Sequence, residues 1–279
     1  MNVTFIGGGN MATALIGGMV GTGADARDFR VVEPSRAQQD RLAARFPGIG
    51  IFGEPTAGAM EGADLVVFAV KPQQMKEAAQ ALAPYIGDIA IVMTIAAGTR
   101  MGDLSRWLGG YARIVRAMPN TPALVGAGIS GAFAPAQVDA EGRALAGRVL
   151  EAVGAVIWVD REEMLDAVTG VSGSGPAYAF YFLEGLEDAA RELGFSDENA
   201  RKLAYATFAG AIKLAQASDD SPGTLRAQVT SKGGTTERAL RMLEERGVKA
   251  TFVAAVKAAA ARAKELGDEL GSDPINEKH

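Results

Sequence analysis

Three short stretches rich in glycine and hydroxyl side chains carry most of the chemistry this sequence can offer. They lie at residues 7–12, 170–175 and 231–236. In the first, Gly7-x-Gly9-x-x-Ala12 ends a strand-like run over 2–7 and opens a helix-like run from Asn10. A glycine at the turn permits a tight bend, a second admits backbone to a pyrophosphate, and a small third residue lets helix and strand pack closely. The helix start at Asn10 then offers unpaired N–H groups and a positive dipole end to the phosphates. Glu33 closes the second strand-like run, 29–34, and completes the pattern of a dinucleotide site. Glu33 can accept from the ribose 2′-hydroxyl of NAD and would repel a 2′-phosphate. Ser35 and Arg36 can hold that phosphate if Glu33 turns aside; otherwise Arg36 is a solvated charge at a helix start.

Further cofactor contacts are expected where later strands end. The third strand closes at Val70, so Lys71 stands at the C-terminal sheet edge where ligands of such folds sit, and Pro72 sets the first turn of the next helix. The small residues of "TIAAGT", with Ala96 and Ala97, let a flat ring approach. In "RAMPNTPALVGAG", 116–128, two prolines bracket Asn120 and Thr121. This stiff polar loop either holds a carboxamide or substrate beside the nicotinamide, or is a rigid turn.

The second stretch, "VTGVSGSGPAYAF", places Pro176 at a first helical position behind Gly173, Ser174 and Gly175. It reads as a loop whose N–H groups point outward at a helix start. A similar arrangement recurs at "TSKGGTTERAL", where Gly233, Gly234 and Thr235 lead a helix holding Glu237. Two such helix starts suit a small carboxylate, because neither loop follows a strand or has an acid at dinucleotide spacing; ordinary capping is the alternative.

The composition removes other chemistries. The 279 residues contain no Cys, and the one His is the terminal His279. Thiolate, disulfide, histidine and Cys or His metal chemistry are therefore excluded as expectations, and no metal site is expected. The net charge of −5 argues against a nucleic-acid or anionic-membrane surface. No apolar run approaches the roughly 18 residues of a membrane span. The start "MNVTFIGGGN" lacks a basic segment before its apolar part, so no signal peptide is expected and the chain reads as cytoplasmic.

The elements that must position these residues follow from periodicity. Buried strands are expected at 2–7, 29–34, 64–70, 89–97, 113–119 and 155–160, with helices at 10–22, 35–46, 72–83 and 139–152 between them. Alternation of this kind builds a doubly wound, mostly parallel α/β sheet, a Rossmann domain over 1–161. From 162 the pattern turns wholly helical: 162–170, 176–194, 197–217, 222–229, 235–246 and 248–267. Residues 162–279 therefore read as an all-α domain, whose tail from Gly271 is polar and expected to fray. The helix after Pro176 is apolar on every side for two turns, which suggests burial by a second subunit.

The motifs "FIGGGNMA", "AVKPQ", "IAAG", "RAMPNTPALVGAG", "AVTGVSGSGPAY" and "GGTT" closely resemble the pyrroline-5-carboxylate reductase family, over residues 2–267. The resemblance implies a Rossmann domain followed by an all-helical dimerisation domain interleaved with its twin, often in higher assemblies of dimers. It also implies NAD(P)H-dependent reduction of (S)-1-pyrroline-5-carboxylate to L-proline, with NADPH often preferred and NADH the alternative. Carried over by motif, Ile6, Gly7, Gly8, Gly9, Asn10 and Met11, with Ala69, Val70, Lys71 and Pro72, would bind the cofactor. Ser231, Gly234, Thr235 and Thr236 would receive the substrate carboxylate and ring nitrogen, with Ser174 and Gly175 in the pocket wall. Three positions depart from the family pattern. Lys232 replaces a common proline, Thr56 stands where many relatives have Asn near the adenosine ribose, and Glu33 stands where NADPH-preferring members often have a neutral or basic residue.

The chemistry so implied suits the side chains. A protonated cyclic imine needs hydride at carbon and correct orientation; Thr236 is the candidate hydrogen-bond partner or proton donor for the ring nitrogen. Two competing readings are a β-hydroxyacid dehydrogenase and a non-catalytic cofactor-binding regulator. The former needs a lysine on the long helix opening the second domain, and residues 177–191 contain none.

Overall fold

A computed structural model describes residues 1–87 and 91–272. Residues 89–90 of the expected fourth strand and 273–279 of the expected tail, His279 included, lie outside the described residues. The described chain divides into two compact units, residues 1–174 with 258–272, and residues 175–257.

In the first unit the order is β1 (Val3–Ile6), α1 (Asn10–Gly21), β2 (Phe29–Val32), α2 (Arg36–Arg45), β3 (Gly50–Phe52), α3 (Ala57–Met60) and β4 (Leu65–Phe68). It continues through α4 (Met75–Leu82), β5 (Ile91–Thr94), α5 (Met101–Trp107), β6 (Ile114–Met118), β7 (Gly128–Phe133), α6 (Ala140–Glu151), β8 (Gly154–Trp158) and α7 (Met164–Val168). Among the described residues the strands form one sheet in the order β3-β2-β1-β4-β5-β6-β7-β8. All neighbours pair in parallel except β6 with β7. The expected mostly parallel sheet is thus present, with two strands more than periodicity indicates, β3 and β7.

The central strands β1, β4 and β5 are buried on both faces, as parallel strands between helix layers must be. Phe5, Val67 and Met93 pack with Leu15 and Ile16 of α1 and Val149 of α6. The alternate residues Ile6, Val66 and Phe68 pack with Met75 and Leu82 of α4 and Leu104 of α5. Thr4 is fully buried without cost, because its hydroxyl donates to the Ala59 carbonyl at 2.7 Å and pins α3 over β1.

The second unit begins with α8 (Gly175–Glu192), followed by α9 (Asp197–Gln216), α10 (Pro222–Gln228), α11 (Thr235–Glu245) and α12 (Val248–Gly271). The helix α12 starts in the second unit and ends in the first. Its end is fastened there by Arg100, which pairs with Asp268 at 2.7 Å and donates to the Lys264 carbonyl, and by Arg106, which donates to the Gly271 carbonyl at 3.2 Å. Arg100, with Lys264 behind it, holds the Asp268 carboxyl below its usual range. The boundary expected at 161/162 lies within the first unit. There Val168 of α7 packs so closely on Gly131 of β7 that a Cβ on that glycine would stand 2.6 Å from Val168 Cγ1.

Candidate active site

The first glycine stretch has the strand–turn–helix geometry its spacing predicts. Gly7 follows β1 with φ +96°, and a Cβ there would meet Val70 Cγ1 at 2.9 Å and the Ala69 carbonyl oxygen at 3.0 Å. Only glycine fits that bend. Gly9 is the N-cap of α1 and has open space where a Cβ would project, so backbone is accessible there. No side chain caps α1, which leaves its first-turn N–H groups available to an incoming anion. Ala12 is fully buried against the sheet. Gly7→Ala is expected to cost about 1–3 kcal/mol through strain at positive φ. Urea unfolding checks the stability, and calorimetric titration should show weakened NADH and NADPH binding.

The cradle opens into a cleft of about 430 Å³ at the C-terminal ends of the first four strands. Its lining includes Ile6, Gly7 and Gly9 after β1, Glu33 after β2, Gly53 to Pro55 after β3, and Ala69, Val70 and Lys71 after β4. It lies where strand order reverses, the position at which doubly wound sheets take ligands. These residues fit a dinucleotide: small residues at the bend, uncapped N–H groups, an acid on one wall and exposed Lys71 at the other. Pro72 opens a 3₁₀ turn, Pro72–Gln74, rather than α4 itself.

Other expected cofactor residues lie beside this cleft or have another contact. Gly8 faces inward, its absent Cβ leaving room for Leu42. Asn10 is exposed at the start of α1, and Met11 packs partly on the core. Ser35 and Arg36 are exposed; Arg36 reaches Asp40 at 3.4 Å. Thr56 caps α3, its hydroxyl accepting from the Ala59 N–H at 3.2 Å. Ala96 is buried and Ala97 half-buried just after β5. Asn120 spends its amide on structure: Nδ2 donates to the Ser172 carbonyl at 3.0 Å, and Oδ1 accepts from the Ile129 N–H at 2.9 Å.

Residues 169–173 depart from the expected open loop. They form a π-helical turn, Thr169–Gly173, continuing α7 toward α8, and the Ser174 N–H donates back to the Thr169 carbonyl at 2.8 Å. That N–H therefore does not point outward to a ligand. Such turns insert a residue into a helix and often accompany functional sites. Alternate residues of β6 and its extension hold the start and first turn of α7 and the turn that follows. Arg116, 4% exposed, pairs with Glu162 at 3.1 Å and Asp166 at 3.3 Å. Met118 Cε would touch a Cβ on Gly173 at 2.8 Å, and Asn120 holds Ser172. Sequence reasoning missed Arg116; its one signal was an arginine inside an otherwise apolar strand.

In the second unit, α11 starts at Thr235 behind the N-cap Gly234, which provides no side-chain cap. The Glu237 carboxylate accepts from the Gly233 N–H at 2.7 Å, and Gly233 has φ +74°. Lys232 is exposed beside it. Ser231 and Thr235 are exposed and Thr236 half-buried. Among the described residues their three hydroxyls have no hydrogen-bond partner. The loop thus presents free hydroxyls and uncapped N–H groups together, as a carboxylate site requires. The described residues hold no acidic, Cys or His cluster able to bind a metal.

Comparison with known proteins bears on the whole chain. A family model described as pyrroline-5-carboxylate reductase dimerisation matches residues 162–266, and one described as NADP oxidoreductase, coenzyme F420-dependent, matches residues 2–98. The pyrroline-5-carboxylate reductase of Pseudomonas aeruginosa is 44% identical over 269 residues, spanning 96% of this chain and 98% of the relative. The structure of a pyrroline-5-carboxylate reductase from Coxiella burnetii superposes with a TM-score of 0.88 at 41% identity, covering 95% of this chain and 98% of that one. A Plasmodium falciparum pyrroline carboxylate reductase with NADP bound gives 0.84 at 27% identity, covering 96% and 98%. With its glycine cradle, its helical module and near-complete overlap with these relatives, the chain belongs to the pyrroline-5-carboxylate reductase family.

Proposed function

We propose that the chain reduces (S)-1-pyrroline-5-carboxylate to L-proline with NADPH or NADH. The observation that carries this reading is an end-to-end family match on a chain holding both an uncapped dinucleotide cradle and an uncapped, hydroxyl-bearing helix start at Thr235 and Thr236. When bound, the reduced nicotinamide supplies hydride to the electrophilic imine carbon; with the proton on nitrogen, the product is the cyclic secondary amine.

The protein's own residues bind and orient. The Gly7–Gly9 backbone and the first turn of α1 hold the pyrophosphate, with Lys71 contributing its charge. Ser231, Gly234 and Thr235 receive the substrate carboxylate on N–H and hydroxyl donors, and the Thr236 hydroxyl bonds the ring nitrogen. Ser174 and Gly175 keep the wall of the pocket small. Orientation supplies most of the rate, since holding two reactants in register is worth on the order of 7–11 kcal/mol. Loss of reduced-nicotinamide absorbance on adding pyrroline-5-carboxylate tests the reading. No loss with folded, cofactor-saturated protein would leave a cofactor-binding regulator instead.

The family's dimerisation module is present in this chain. We assign residues 162–279 to an interleaved homodimer, assembled further into sets of dimers, and to substrate binding. Within α8 only Ala190 is buried, while Phe180 and Tyr181 are 64% and 72% exposed. Exposed aromatic side chains on one helix of a dimerisation module support their burial by a partner. No helix among the described residues is long and apolar enough to cross a membrane, and the cytoplasm is the compartment we assign to the reaction.

A further inference from the structure

The geometry points to Glu33 as a built-in anion that makes this enzyme select NADH over NADPH. The inference rests on the dinucleotide reading of the cleft and sharpens it.

Glu33 is held at every polar atom it has. Its N–H donates to the Phe52 carbonyl at 2.9 Å, and its carbonyl accepts from Gln39 Nε2 at 2.6 Å. The carboxylate spans two backbone donors: Oε2 accepts from the Gly8 N–H at 2.9 Å, and Oε1 from the Ser35 N–H at 2.8 Å. Pro34 follows directly, which restricts the Glu33 backbone to extended conformations. The Glu33 stem also packs against Gly8, where a Cβ would lie 3.4 Å from Glu33 Cβ. Gln38 ties the same loop from the other side, donating to the Gly8 carbonyl at 2.6 Å.

Two consequences follow. A ribose with a free 2′-hydroxyl meets a fixed acceptor at the end of β2, an arrangement that favours NAD. A 2′-phosphate, carrying about −1.5 to −2 charge at neutral pH, meets a carboxylate already seated on the two N–H groups that would otherwise receive it. For the phosphate to bind, Glu33 must leave both donors. Arg36, three residues after Glu33, reaches Asp40 and Gln39, each at 3.4 Å. The resemblance to the family implies frequent NADPH preference; this carboxylate reverses it here.

Calorimetric titration of the full-length protein with NADH and NADPH, and with 5′-AMP against adenosine 2′,5′-bisphosphate, tests the inference without turnover. NADH is expected to bind at least tenfold more tightly, a difference of about 1.4 kcal/mol. Glu33→Ser empties the two N–H donors and is expected to invert the ratio. Glu33→Gln keeps the shape without the charge and should bring the ratio towards one, with thermal melting confirming that each variant is folded. Equal or tighter NADPH binding by the unaltered protein, or an unchanged ratio in both variants, overturns the inference while leaving the cofactor site intact. Binding of neither dinucleotide overturns the reading of the cleft as well.

Discussion

Replacing Arg116 by alanine is expected to destabilise the protein by about 3–5 kcal/mol, because it strands two partly buried carboxylates without their cation. The side chains of Arg116, Glu162 and Asp166 are 5%, 21% and 15% exposed. Glu162 also accepts from the Met101 N–H at 2.8 Å, so the start of α5 loosens too. Equilibrium urea unfolding gives the size of the effect, and a loss below about 1 kcal/mol, the ceiling for surface pairs, would sink the argument. The mechanism has a sharper test. If stranded charge is the cause, adding Glu162→Gln and Asp166→Asn to Arg116→Met should recover more than half of the loss. If the cost were lost packing, neutralising the carboxylates would recover nothing.

The second large effect is kinetic. Thr236→Ala is expected to lower kcat/KM for pyrroline-5-carboxylate by about 10²-fold or more, the scale of effect seen when a preorganised hydrogen-bond partner of the reacting group is removed. Stability should change little: the side chain is half-buried and makes no hydrogen bond among the described residues, and such substitutions fall within about 0.5 kcal/mol. Thr236→Ser keeps the hydroxyl and should retain most of the activity. A threonine hydroxyl that only positions the ring nitrogen does not titrate near neutrality, so the pH profile of the alanine variant should keep its shape while its height falls. Unchanged turnover and substrate affinity in Thr236→Ala would remove the residue from the site.

How much of this was legible in the sequence depended on whether geometry constrains residue type. The first cradle was readable because a bend at φ +96° with Val70 and Ala69 behind it admits glycine alone, and because α1 must start where β1 ends. Core strands such as Leu65–Phe68 were readable because burial on both faces demands a continuous apolar run. β7, with the sequence GISGAF, was hidden. Its small residues answer to tight neighbours, Val168 against Gly131 and Ala123 against Gly128, and so carry no apolar strand pattern. The same confusion made the π-turn look like a loop: Gly173 is small because Met118 lies against it. Arg116 could not be assigned because its partners stand 46 and 50 residues along the chain. The acid at Glu33 and its bias towards a free ribose 2′-hydroxyl were legible in sequence, but the two backbone N–H donors that hold its carboxylate, from Gly8 and Ser35, required coordinates.

The return of α12 to the first unit has a consequence for how the protein is made. The turn after β5 is finished by residues translated more than 160 positions later. Leu270 packs over Gly98, where a Cβ would lie 3.1 Å from Leu270 Cδ1; Asp268 pairs with Arg100, and Gly271 receives Arg106. Those contacts span 164 and 165 residues for the two arginine hydrogen bonds. The amino-terminal unit therefore emerges first yet cannot be sealed during synthesis. The turn after β5, an interior strand, must wait for its covering residues until the whole helical unit has been translated. A nascent or truncated chain lacking α12 would present this turn to chaperones and proteases, which links survival of the cofactor-binding half to completion of the other.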